Sequence, residues 1–312
     1  MQIIDSFANL QLPETAACIG FFDGVHLGHR FLIGELITEA KRRGMASAII
    51  TFRNHPRTRI KSDFTPQLIQ SFEEKMEKLA KTGIDYCFVL DFTPELREYS
   101  AKEFICRILR AQMNVGLLVI GYDHRFGKNR TDGFEEYCGY GAACGMEVMK
   151  EPDYSPNGMH VSSSAIRRAL AEGKPELAAC LLGEPYRMTG RVVRGSQIGR
   201  TIGFPTANIE PSEGHQIIPR QGVYAARVEV DGGCYEAMLN IGSRPTVADA
   251  GKQSIEVYLF DFNGDLYGKK MTIHFIAYLR PERKMESLED LKLQLNKDQI
   301  AARNSLQNKI SS

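Results

Sequence analysis

The sequence predicts two folds in series: an α/β domain built on a parallel sheet, then a small antiparallel β-barrel followed by a C-terminal helix. Three observations carry that expectation. Apolar runs of strand length alternate with helix-period segments from Ala16 to Glu151. From Tyr186 onward the pattern changes to β-branched and aromatic runs separated by hairpin signals. Helical spacing returns at Ser287 and holds to Gln307. At 312 residues the chain is about twice a typical domain of ~150 residues, so two domains are expected.

In the first half, "AACIGFF" is a short apolar run ended by turn residues, and "HRFLIGELITEAKRRG" then spaces Leu32, Ile33, Leu36, Ile37 and Ala40 as a helix does before Gly44. "MASAIITF" is apolar again, which completes a βαβ unit whose crossover is right-handed in nearly every known case. The rhythm repeats through helical "FEEKMEKLAKTG", strand-like "IDYCFVLDF", helical "SAKEFICRILRAQM", and strand-like "GLLVIG" and "MEVMKE". After the helical "SSAIRRALAEG" and "PELAACLLG", the register changes near Gly183 to Tyr186. "GVYAARVEV", "CYEAMLNIG", "SIEVYLFDF" and "KKMTIHFIAYLR" are the barrel strands, with hairpin turns at Asp231 and at Asn263–Gly264. In the last helix Ser287 and Asp290 form a capping-box pattern, and Leu288, Leu291 and Leu295 make one apolar stripe, expected to pack on the barrel core.

Composition narrows the function classes. Lysine plus arginine (39) nearly balances aspartate plus glutamate (38), and no basic-aromatic motif stands out, so a nucleic-acid partner is not expected. No charged start precedes a long apolar core, and no window approaches the ~18 apolar residues of a membrane span, so no membrane partner is expected and the cytoplasm is the expected place. The seven cysteines contain no C-x-x-C pair and read as reduced, mainly structural thiols. Nothing in the sequence fixes an oligomeric state.

Ligands of parallel sheets bind where strands end and helices begin. "GFFDGVHLGHR", residues 20–30, lies at such a place. Gly24 permits a tight turn, Gly28 removes a side chain beside His26 and His29, and two imidazoles at a helix start can donate to phosphate oxygens. "VSSSAIRRAL", residues 161–170, offers Ser162, Ser163 and Ser164 as hydroxyls at a helix start, with Arg167 about one turn on. The H-x-G-H pattern after the first strand resembles the nucleotidyltransferases of Rossmann-like fold, and the serine-rich helix start with its arginine resembles their second signature. With "TFRNHP" and "GYDHRFGKNRTDG", the half is similar to the adenylyltransferase half of bacterial bifunctional riboflavin kinase/FAD synthetases. The chain departs from that family at His124, where phenylalanine is common, and at Ser164, where threonine is common.

The second half contains "GRVVRGSQIGRTIGFPTANI", with Gly190, Gly195, Gly199 and Gly203 spaced through a basic stretch. It is not a Walker A loop, yet such a bend can expose backbone N–H groups to phosphates. Thr206 and Asn208, two residues apart, share one side of an extended segment and offer oxygens to Mg²⁺ or ATP. Alternation puts Ile255, Val257 and Leu259 on one face and Glu256, Tyr258 and Phe260 on the other. "GFPTAN", "NIGSRPT", "IEVYLFDF" and "LRPERKMESLEDL" resemble riboflavin kinases in order, so the resemblance spans nearly the whole chain.

The resemblance implies an enzyme of two domains, 1–184 adenylylating FMN to FAD with release of pyrophosphate and 185–312 phosphorylating riboflavin to FMN. Its substrates are riboflavin, FMN and ATP, with Mg²⁺ as cofactor. It implies catalytic roles for His26, His29, Arg167 and Glu256, the last as the base that accepts a proton from a substrate hydroxyl. It places ATP against Gly20, Phe22, Asp23, Gly24, Gly28, Ser163, Ser164, Gly195, Gly199 and Gly203, and flavin against Asn54, His55, Asp123, Arg125 and Phe126. Thr206 and Asn208 are the implied metal ligands. Two other readings stay open. One is a nucleotidyltransferase for another phosphate-bearing acceptor, such as a pantetheine or nicotinamide phosphate, against which "GFPTAN" argues. The other is a non-catalytic flavin-binding module, against which the intact His26, His29, Thr206, Asn208 and Glu256 argue.

Overall fold

The computed structural model describes residues 1–7, 11–54, 67–121, 125–128, 131–151, 154–195, 198–212, 214–243 and 253–307. His55, Asp123 and His124 lie outside the described residues. Packing divides the chain into two compact units, Met1–Pro66 with Ser71–Ser162 and Gln67–Gln70 with Ser163–Ser312.

The first unit runs β1 (Gln2–Ile4), β2 (Thr15–Ile19), α1 (Leu27–Arg43), β3 (Ala46–Phe52), α2 (Phe72–Ala80), β4 (Tyr86–Leu90) and α3 (Pro94–Glu98). It continues through α4 (Ala101–Glu103), which passes into a π-helical turn (Phe104–Arg110), then β5 (Val115–Ile120), α5 (Phe134–Ala143) and β6 (Glu147–Lys150). The strands form one parallel sheet in the order β1-β4-β3-β2-β5-β6. Helices on both faces explain why β5 is buried along its whole length and reads as an unbroken apolar run. Strand order reverses at β2, so the crevice that a parallel sheet offers to ligands opens beside the end of that strand. α1 buries Ile33, Leu36 and Ala40 and stops at Gly44, whose φ of 68° closes the helix in the left-handed region. Three elements add to the expected pattern. β1 is only three residues long, α3 only five, and α5 carries Gly139 and Gly141, which weaken its helical signal.

The second unit contains α6 (Ser163–Ala171), α7 (Pro175–Leu182), β7 (Tyr186–Val193), the short α8 (Ile198–Thr201), β8 (Ala207–Pro211), β9 (Gly222–Val230), β10 (Gly233–Ser243), β11 (Gln253–Leu259), β12 (Lys270–Arg280) and α9 (Leu288–Gln307). The strands close into an antiparallel barrel in the order β10-β11-β8-β7-β12-β9. Met188, Val228, Ile241, Ile255, Val257, Ile273 and Phe275 are buried, and Ile255 and Val257 follow the expected alternation on β11. α9 lays Ala302 and Leu306 against Ala225, Met238, Phe260 and Ile276. Ser287 accepts from the Asp290 N–H and donates to its carboxylate, as the capping pattern expects. Of the stripe Leu288, Leu291 and Leu295, Leu295 packs on the barrel cluster as expected, whereas Leu288 is 56% exposed; all three also line a cavity.

Candidate active sites

In the first unit, β2 ends at Ile19, and from Gly20 the chain turns through Phe22, Asp23, Gly24 and Val25 before α1. That turn is strained. Gly24 has φ 88°, as its identity allows, but Phe22 (φ 55°) and Val25 (φ 44°) also take positive φ, which a β-branched residue rarely does. Each such residue costs on the order of 1–3 kcal/mol and persists only where its surroundings hold it. Phe22 and Val25 are fully buried, the Val25 N–H donates to the Phe22 carbonyl at 3.2 Å, and Arg30 Nε donates to the Val25 carbonyl at 3.0 Å.

His26 caps α1. Its Nδ1 accepts the His29 N–H at 3.3 Å, which leaves the ring proton of the neutral form on Nε2. The His26 and His29 rings stack at 3.6 Å and 16°, and Phe22 packs edge-on against His29 at 5.1 Å. Gly28 fits this arrangement closely, since a Cβ there would stand 3.3 Å from the His26 ring and 3.4 Å from the Val161 carbonyl. Asp23 is buried in the same turn. Asn54 follows the end of β3 and is exposed. Arg125 is exposed, whereas Phe126 stacks on Tyr137 at 4.3 Å and packs into the core. Ser163, Ser164 and Arg167 belong to α6 in the second unit, where Arg167 Nε donates to the Gln67 carbonyl at 2.7 Å.

One buried side chain here had no place in the sequence reading. Lys75 on α2 is 3% exposed, and its Nζ donates to the Phe21 carbonyl (3.2 Å), Thr51 Oγ1 (3.2 Å) and the Phe52 carbonyl (2.9 Å). It also lies 4.3 Å from the centre of the Phe21 ring. Burial pulls its pKa down to about 8, against the pull of Asp23 and Cys87. A signal existed: Phe72, Lys75, Met76 and Leu79 fall at i, i+3, i+4 and i+7, so Lys75 occupies the inward face of its helix.

In the second unit, Gly199, Thr206 and Glu256 line one cavity of about 590 Å³, with Phe204, Tyr258 and Arg280 among its walls. Glu256 on β11 pairs in register with Asn240 on β10 and Asn208 on β8, so two asparagines flank it on its own face of the barrel. Asn208 is 8% exposed and packs against Gly195, where a Cβ would lie 2.0 Å from its Nδ2. Gly199 leaves room for the Phe204 carbonyl, 2.2 Å from where a Cβ would stand. Gly203 has φ 88° and ends the turn after α8. The glycine spacing is therefore set by close packing and backbone conformation at these positions, beyond any exposure of N–H groups. Sequence reasoning also missed the cavity's fixed cation: Arg280 makes a bidentate pair with buried Asp298, at 2.8 and 2.6 Å.

A parallel sheet with a histidine-capped turn at its switch point, followed by a barrel that sets a carboxylate beside hydroxyl and amide oxygens, defines a two-domain enzyme of phosphate-ester chemistry. The family model for FAD synthetase matches residues 9–165, and that for riboflavin kinase matches residues 182–306. The chain is 37% identical to the bifunctional riboflavin kinase/FMN adenylyltransferase of Pseudomonas fluorescens over 97% of each chain. It is 36% identical to that of Escherichia coli K12 over 97% of each, and 37% identical to that of Bacillus subtilis 168 over 93% of this chain and 92% of that one. The crystal structure of a protein from Streptococcus pneumoniae, described as a macrolide-efflux protein, matches with a TM-score of 0.87 and 30% identity, covering 97% of this chain and 98% of that one. Among the described residues no helix is long and apolar enough to cross a membrane. The chain belongs to the bifunctional riboflavin kinase/FMN adenylyltransferase family.

Proposed function

We propose that the two reactions of this family are divided between the two halves of the chain, 1–184 and 185–312, and are carried by the residues described above. The enzyme phosphorylates riboflavin with ATP to give FMN, then adenylylates FMN to give FAD and pyrophosphate. In the barrel, a riboflavin hydroxyl attacks the γ-phosphorus of ATP, its proton passes to Glu256, and ADP leaves. The single observation that carries this reading is the cavity that joins Glu256 to Thr206 among apolar and aromatic walls suited to a flavin ring. The walls include Leu288, Leu291 and Leu295, which gives the helical stripe a use.

A hydrated Mg²⁺ fits the donors present. Thr206 and Asn208 offer a hydroxyl and an amide oxygen, hard ligands of the kind Mg²⁺ prefers, and Mg²⁺ usually relies on waters and substrate phosphates for the rest. When bound, the ion neutralises charge on the ATP phosphates. Among the described residues no group of three or more His, Cys, Asp or Glu forms a cage of protein ligands, which agrees with a site shared with substrate.

In the first half, a phosphate oxygen of FMN attacks the α-phosphorus of ATP and pyrophosphate leaves. His26 and His29 hydrogen-bond the phosphates as charge moves onto the leaving group, and the N–H groups of the Phe22–Gly24 turn and the start of α1 add to that field. Gly20, Asp23 and Gly28 shape this pocket, and Asn54, His55, Asp123, Arg125 and Phe126 are its proposed flavin contacts. Ser163, Ser164 and Arg167 are the proposed second set of phosphate contacts. ATP as co-substrate accords with a cytoplasmic location.

The test is to incubate the protein with riboflavin, ATP and Mg²⁺ and to separate the flavins by chromatography over time. FMN that rises and then gives way to FAD is expected. Unchanged riboflavin would overturn the reading of the barrel, and FMN that never becomes FAD would overturn that of the first half.

A further inference from the structure

The buried ammonium of Lys75 is used by none of the steps above, yet it sits directly behind the strained turn that carries them. Its three protons meet three oxygens. One is the Phe21 carbonyl, which opens the turn; the other two, Thr51 Oγ1 and the Phe52 carbonyl, belong to the end of β3, just before Asn54. All three acceptors are neutral, so the charge is held by dipoles and by the Phe21 and Phe72 rings at 4.3 and 5.3 Å. Thr51 Oγ1 itself donates to the Phe21 carbonyl at 3.2 Å, which closes a small network between the two strand ends. Burying a lysine without a hydrogen-bonded carboxylate is costly, and a methionine of similar length would fill the space without that cost. A cost of that kind is retained where positioning depends on it.

We infer that Lys75 is a positioning residue of the adenylyltransferase site. Its ammonium ties the Phe21 carbonyl to the end of β3, holds the Phe22–Val25 turn in its unfavourable conformation, and so keeps Asp23, His26 and the start of α1 aimed at the ATP phosphates. This rests on assigning FMN adenylylation to the first half. The count of protons explains why charge matters as well as size: a neutral amine has two protons for three oxygens, so one of the hydrogen bonds that tie the turn to the end of β3 is lost. The titratable groups that face Lys75 are Asp23 in the turn and Cys87 on β4, and the Asp23 carboxylate favours its protonated form. Burial pushes the Cys87 thiol up to about 11, so it stays neutral where Lys75 changes charge near 8.

The test compares the full-length protein with its Lys75→Met variant in two separate assays, FMN adenylylation and riboflavin phosphorylation, each across pH 6.5 to 9.5 at saturating ATP. Expected for Lys75→Met is a kcat for FMN adenylylation lower by roughly ten- to a hundredfold, with KM for FMN changed by less than about twofold, because the turn is misplaced while the flavin contacts remain. Riboflavin phosphorylation is expected to stay at the parental rate. The parental adenylylation profile should fall through a limb near pH 8 that riboflavin phosphorylation lacks and that the Met variant loses. Unchanged kcat in the Met variant overturns the inference, and so does a limb near pH 8 that persists without Lys75. If the Met variant does not fold, the parental profiles decide: a limb confined to adenylylation upholds the inference, and its absence overturns it. His29→Ala separates the two levels of the argument. If adenylylation survives that change too, the site assignment fails; if it is lost there but kept in Lys75→Met, only the role of Lys75 falls.

Discussion

Replacing Lys75 with methionine should change the pH dependence of stability in a direction that follows from burial alone. In the folded protein the ammonium titrates at about 8, whereas the unfolded chain holds its proton to about 10.5. Below pH 8 both states are protonated and the cost of burying the charge is present in full. Between pH 8 and 10.5 the unfolded state binds one more proton than the folded state, so stability rises with pH by up to about 1.4 kcal/mol per unit. Over that window the parental protein should gain about 3 kcal/mol relative to Lys75→Met, which has no group to titrate there. The assay is urea unfolding at fixed pH values from 7 to 11, with hydrogen exchange of β2 and β3 amides reporting on the first unit. Groups that do not face Lys75 are common to both proteins and cancel in the difference, and Cys87, which does face it, stays neutral until about pH 11. A difference that stays flat from pH 7 to 11 would refute the reasoning, because it would mean that Lys75 titrates alike in the folded and unfolded chains.

Three other outcomes are expected. His29→Ala should lower FAD formation from supplied FMN by about 10²–10³-fold while leaving riboflavin phosphorylation intact, read by flavin chromatography; equal loss of both in a folded variant would refute the division of labour. Glu256→Gln should do the reverse, lowering riboflavin phosphorylation by about 10²–10⁴-fold with FAD formation from FMN retained, and a parental phosphorylation rate would remove Glu256 as the base. Asp298→Ala leaves Arg280 without its bidentate partner beside the cavity and should destabilise the barrel by about 3 kcal/mol in urea unfolding; an unchanged midpoint would show that the pair contributes nothing net.

Much of the architecture could be read from residue order because its signals are local. The apolar spacing that ends at Gly44 is α1, the unbroken apolar run is β5, and the alternation around Glu256 is β11, which buries Ile255, Val257 and Leu259 as expected, while Phe260, expected on the face of Glu256, is buried against α9. What escaped depends on neighbours that are distant in sequence. The spacing places Lys75 on the apolar face of α2, but the three oxygens that receive its ammonium come from the turn after β2 and from the end of β3. Leu288, Leu291 and Leu295 have the spacing of a core-facing stripe, and only the barrel wall shows that they front a cavity. The glycines from Gly195 to Gly203 were legible as one glycine-rich bend, but not the packing that requires them, in which Asn208 excludes a side chain at Gly195 and the Phe204 carbonyl excludes one at Gly199. The histidine pair was legible as a pair, but not the stacking that fixes it or the positive φ of Phe22 and Val25 beside it.

The placement of α6 and α7 shows that ancestry and cohesion cut this chain at different points. The family resemblance of the first half runs through 165, and that of the second begins at 182, but both helices adhere to the barrel. α7 buries Pro175, Ala178, Leu181 and Leu182, and the Arg220 N–H donates to the Leu170 carbonyl at the end of α6. A barrel excised where its lineage begins would leave that apolar seam bare, while one begun at Ser163 would carry its own cover. The portable piece is thus larger than the inherited one.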